Sequence, residues 1–144
     1  MSDLYIKFLE ERGAGKVRHG NRSLLDHLTG THDLLKKWKD PPYIQIAGLF
    51  HSVYGTAWFK PTLIPFSDRD EIKHLIGEEA ELLAYLFCAT DRKFFNREVK
   101  LLNSSDSIQL SVKQMYDLME IEAANLVDQN CSPLKIMREF QTKV

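Results

Sequence analysis

The run Ser23-Leu24-Leu25-Asp26-His27-Leu28-Thr29-Gly30-Thr31-His32-Asp33-Leu34-Leu35-Lys36-Lys37-Trp38 decides the fold class. Its stripe of Leu24, Leu28, Thr31, Leu35 and Trp38 recurs every three to four residues, the spacing that lines one face of an α-helix. Ser23 suits the N-cap, and Asp26 three residues on completes a capping-box pattern. Lys36, Lys37 and Lys39 gather at the other end, where cations complement the helix dipole. Pro41-Pro42 stops this helix and opens the next, because proline suits a first helical turn and breaks an interior one.

Working outward, the same spacing predicts helices nearly throughout. One runs from about Asp3 to Arg12 behind Ser2 and ends at Gly13-Ala14-Gly15, and another from about Pro42 to Tyr54 is apolar on most sides. Thr56 to Phe66 carries two prolines and three aromatics and reads as a loop over the domain. Ser67 caps a short helix to about Ile76, Gly77 breaks it, and Glu78 to about Ala89 forms the next. Asp91 to about Leu102 continues or restarts that helix, and Asn103 to Ser107 is a polar loop. Ser111 with Gln114 opens a helix to about Val127, and Ser132-Pro133 starts a final one. The expected fold is therefore all-α, one compact bundle of about six to eight helices spanning residues 1–144.

Composition narrows the function classes. A chain of 144 residues with 44% hydrophobic and 27% charged residues has the makeup of an ordinary globular domain. The longest apolar stretches, such as Leu82 to Ala89, fall far short of the ~20 residues of a spanning helix, so no membrane role is expected. The start Met1-Ser2-Asp3 lacks a secretory or transit pattern, which points to the cytoplasm. A net charge of -1 lacks the positive field of a nucleic-acid binder. Cys88 and Cys131 have no metal-ligand spacing and read as free thiols.

What remains for chemistry is histidine and carboxylate. His27 sits at the edge of the first stripe, and His51 shares a face with Ile44, Ala47 and Gly48, so both imidazoles point inward. Small residues beside His51 let another helix come close, and the two rings can meet across one interface. Neutral imidazole is the commonest metal ligand, and a carboxylate would complete a first set of donors. Asp91, after the apolar run Leu82 to Thr90, is the candidate; pairing with Arg92 or solvation in a turn are its simpler readings. His32 and His74 are expected on the surface, and Asp26 as a cap. His19, in the loop Arg18-His19-Gly20-Asn21-Arg22, is placed to reach back toward the pair.

An inward His, a second one in Ala47-Gly48-Leu49-Phe50-His51, and an Asp some forty residues later resemble the HD-domain superfamily. Arg18 to Thr56 is similar in layout to the alarmone-hydrolase branch. Leu24 to Thr31 and Phe50 to Thr56 also look like a functionally uncharacterised HD-related family. The resemblance covers about residues 18 to 92. It implies His27, His51 and Asp91 as ligands of one divalent ion, with Mn, Fe, Zn and Ni not distinguished. Ser52 stands where the superfamily has its paired aspartate, which disfavours a two-metal site. The implied activity is hydrolysis of a small, anionic, phosphorylated or nucleotide-like compound. His19 and Ser52 are then candidate catalytic groups, and Arg18, Arg22, Tyr54 and Trp58 substrate contacts. The alternatives are a non-catalytic scaffold for a small ligand or protein partner and, third, a metal-dependent oxygenase; homo-oligomerisation stays open.

Overall fold

The computed structural model describes residues 3–56, 59–91 and 96–131. Among them are six α-helices: α1 (Asp3–Glu11), α2 (Leu24–Lys37), α3 (Pro42–Leu49), α4 (Arg69–Ile76), α5 (Glu78–Ala89) and α6 (Val112–Asp128). A single 3-10 turn, Phe66–Asp68, leads into α4. Five short strands accompany them: β1 (Arg18–His19), β2 (Arg22–Ser23), β3 (Thr90–Asp91), β4 (Glu98–Leu101) and β5 (Ser107–Gln109).

These strands correct the all-α expectation. β1 and β2 form an antiparallel hairpin in the register Arg18↔Ser23 and His19↔Arg22, and β3-β4-β5 form a second antiparallel sheet. The fold is mixed. The helix expected from Asp91 to Leu102 is replaced by β3 and β4, because Thr90 leaves α5 in an extended conformation and Thr90↔Leu101 then pair. Val99 alone of β4 is fully buried, between exposed Glu98 and Lys100, the alternation of a strand with one face in the core. The helix expected after Ser132 lies outside the described residues.

Helix boundaries follow their caps. Ser23 Oγ accepts a hydrogen bond from the Asp26 amide at 3.0 Å and starts α2. Ser111 and Gln114 close a reciprocal capping box at the head of α6. α3 is shorter than expected: it stops at Leu49, and residues 50–54 continue as turns. α2 is the centre of the packing, with α3 on one side and α6 on another, and α3 also rests on α5. Gly48 allows the α2–α3 approach, since a Cβ there would overlap the Leu35 side chain. Leu28, Leu35, Ala47, Phe50, Phe87 and Ile121 fill the resulting core. Each large apolar side chain so buried contributes roughly 1.5–3 kcal/mol. Among the described residues no helix is long and apolar enough to cross a membrane.

Candidate functional site

Two buried histidines meet where α2, α6 and the turn after α3 come together. His27 is 0% exposed on α2, and His51 is 1% exposed two residues past α3. Their Nε2 atoms lie 3.2 Å apart. Asn125, from α6, places its Oδ1 2.8 Å from His27 Nε2 and 3.2 Å from His51 Nε2.

The outer bonds of each ring decide what these three atoms carry. His51 Nδ1 is 2.6 Å from the Gly48 carbonyl, so that nitrogen holds the hydrogen and Nε2 keeps a lone pair. His27 Nδ1 faces Asp128 Oδ2 at 2.6 Å, which assigns its hydrogen in the same way. Asn125 Nδ2 donates to Glu122 Oε1 at 2.6 Å, and its Oδ1 also accepts from Gln129 Nε2 at 2.8 Å. Three lone-pair atoms therefore point at one spot. Reversing the Asn125 amide turns its oxygen onto the Glu122 carboxylate instead, which moves the mismatch without removing it. A second proton on His27 would place a hydrogen between its Nε2 and the Asn125 oxygen, but burial opposes that proton. Desolvation first, then the neighbouring His19, pull the His27 pKa down to about 3 against the Asn125 hydrogen bond.

The β1–β2 hairpin covers this centre. His19 stacks on His27 with ring centroids 3.9 Å apart and planes 7° from parallel, and Phe59 packs against His19 with centroids 4.8 Å apart. Burial is the main reason that the His19 pKa is lowered, with the Arg22 charge adding to it. Arg22 Nη2 donates to Asp128 Oδ2, the same oxygen that receives His27, and to the Asp128 carbonyl at 3.3 Å. A cleft of about 580 Å³ opens beside these groups, lined by His19, Asn21, Arg22, Asp128, Gln129 and Asn130 among others.

The structure thus brings together His19, Arg22, His27 and His51. Asp91 is not brought to them. It sits in β3 opposite Lys100, partly exposed, and lines a separate depression with Asn96 and Glu98. The chain leaves α5 through an extended Thr90 and enters the β3-β4-β5 sheet. Among the described residues no three His, Cys, Asp or Glu side chains form a metal-binding group. Ser52 follows His51 in the turn, 3% exposed, and its Oγ has no hydrogen-bond partner among the described residues. Arg18 is exposed on β1.

Tyr54 is buried, its hydroxyl donating to Glu81 Oε2 at 2.7 Å, and it lines a depression with Thr56, Lys60, Thr62 and Phe66 that is separate from the histidine cleft. Trp58 lies outside the described residues. His74 is exposed as expected, whereas His32 is 2% exposed and meets Asp33 at 3.0 Å. Sequence reasoning missed Asn125 and Asp128. Their signal was the spacing Glu122, Asn125, Asp128 on α6, which puts three polar residues on one helical face next to buried Ile121 and Ala124.

Residues 8–92, more than half of the chain, match the family described as Domain of unknown function (DUF6817), and the chain belongs to that family. No curated protein and no solved structure matches it.

Proposed function

We propose that the chain is a metal-dependent hydrolase of a small phosphorylated or nucleotide-like compound, with one divalent ion held by His27, His51 and Asn125. The observation that carries this reading is the convergence of three lone-pair atoms at 2.8–3.2 Å. Donors about 2.1 Å from one ion, at angles near those of tetrahedral or octahedral sites, stand roughly 3.0–3.4 Å from each other. The donor set therefore fits an ion with small adjustments. Two imidazoles and an amide oxygen suit a borderline ion such as zinc, nickel or iron better than magnesium or calcium.

When bound, such an ion would lower the pKa of a coordinated water toward ~7. The residues around it have separate parts in this reading. His19, kept neutral beside the cleft, is the group suited to accept a proton. Arg22 and Arg18, on the hairpin, meet the anionic end of the substrate, Arg22 through guanidinium nitrogens other than the Nη2 it gives to Asp128. The likeness of the His27 and His51 segments to HD-domain hydrolases supports the reaction class.

The test is elemental analysis of the purified chain and of His51→Ala, followed by a screen of phosphomonoester and pyrophosphate probes after reloading with zinc, nickel, iron or manganese. About one ion per chain in the wild type, little in the variant, and hydrolysis that the variant lacks are expected. An ion-free wild type that hydrolyses nothing after reloading contradicts the proposal. Ser52 favours a second reading, a non-catalytic scaffold, because a hydroxyl stands where the HD-domain resemblance has a carboxylate. On that reading His51→Ala changes stability alone.

A further inference from the structure

Two local choices in the sequence work against the helices that carry them. Gly30 lies in the interior of α2, where glycine is among the weakest helix formers. Asp128 is the last residue of α6, where the helix dipole disfavours a carboxylate and where the last turn carries no basic residue. The two positions meet in space: a Cβ added at Gly30 would overlap Asp128 Oδ1 and crowd its Cγ at 2.8 Å. The absence of a side chain at Gly30 is what admits the carboxylate to α2. There Oδ2 takes the Nδ1 hydrogen of His27 at 2.6 Å and the Arg22 guanidinium from the cleft side. Local rules broken in pairs, to a single geometric end, are the mark of a functional site.

We propose that Asp128, seated against Gly30, is a positioning residue of the histidine centre. It holds His27 in the tautomer that presents a lone pair at Nε2, and it makes that nitrogen a stronger donor. Arg22 in turn fixes the carboxylate from the cleft side. This inference rests on the metal reading given above. It adds a residue outside the donor set and a glycine with no donor atom at all.

Titration of the metal-free full chain with cobalt(II), read by its d–d absorption and by competition with zinc, tests it. Loss of a carboxylate behind a ligating histidine typically weakens metal binding by about 10- to 100-fold. Asp128→Ala is expected to show that loss with altered d–d bands, and Asp128→Asn, which keeps an acceptor oxygen for Nδ1, to recover most of it. Gly30→Ala leaves every donor in place and displaces only the seat, and it carries the test should Asp128→Ala fail to fold. A wild type that binds cobalt, with Asp128→Ala or Gly30→Ala binding it equally tightly and with unchanged bands, overturns the inference. A wild type that binds no cobalt at all instead overturns the metal reading on which it rests.

Discussion

Two buried polar clusters among the described residues differ in how their hydrogens balance. Glu81 on α5 is 0% exposed, yet each of its oxygens is met by a donor. Arg69 reaches it with Nε and Nη2, both at 2.8 Å, and Tyr54 with its hydroxyl at 2.7 Å. The guanidinium also lies over the Tyr85 ring, 3.6 Å from its centroid. Charges cancel and donors match acceptors. His27 is as deeply buried, but with its hydrogen on Nδ1 toward Asp128 its Nε2 faces two further acceptors, an imidazole nitrogen and an amide oxygen. A complete buried network is a structural staple, whereas an incomplete one states what it lacks. In the reading proposed above, the missing element is a cation held by two imidazoles and an amide oxygen.

Breaking the complete cluster should give the largest effect. Arg69→Ala leaves Glu81 buried without its countercharge, and chemical denaturation should show a loss of about 3–5 kcal/mol. The incomplete cluster should answer to ligand rather than to partner removal. Chelation is expected to lower the stability of the wild type by about 2.7 kcal/mol relative to the chain in free zinc at a hundred times Kd, and to leave His51→Ala unmoved. Equal responses in the two chains would erase the distinction between the clusters.

Two smaller predictions sharpen it away from the buried centres. Glu120 on α6 has its pKa raised to about 7 by desolvation first, then by the hydrogen bond and charge of Asp40, with Asp117 adding. The folded state thus holds this proton more tightly than the unfolded chain. Its contribution is complete below about pH 4.5 and is lost as pH rises through about 7. Glu120→Gln should remove that slope, an effect below about 1 kcal/mol after solvent screening, measured as stability against pH. Lys39, just past α2, has φ 64°, a left-handed conformation that costs a side chain but not glycine. Lys39→Gly should raise stability by about 1 kcal/mol. A destabilised variant would show that the lysine side chain makes a contact that outweighs its backbone strain.

Much of the helical frame was legible because it is written in caps and periodicity. Ser23 and Ser111 open the helices that their spacing predicts, and Gly77 separates α4 from α5. The sheets escaped because strands of two to four residues carry too little pattern for a period-two test. A local clue existed in Gly20-Asn21 between Arg18-His19 and Arg22-Ser23, a two-residue loop of the kind that joins hairpins, with Gly20 at φ 65°. At the site, the inward faces of His27 and His51 were readable from their apolar neighbours. Asn125 was not, since an amide on a mixed helix face reads as solvated until the facing helix is known. Asp91 drew attention as an acid after a buried run, and only the extended backbone at Thr90 shows that it belongs to a strand.

The most direct measurement is an anomalous difference map from a crystal of the chain grown with zinc, collected at the zinc edge. The account predicts one strong peak about 2.1 Å from His27 Nε2, His51 Nε2 and Asn125 Oδ1. No peak between the histidines, or a sole peak beside Asp91, would contradict it.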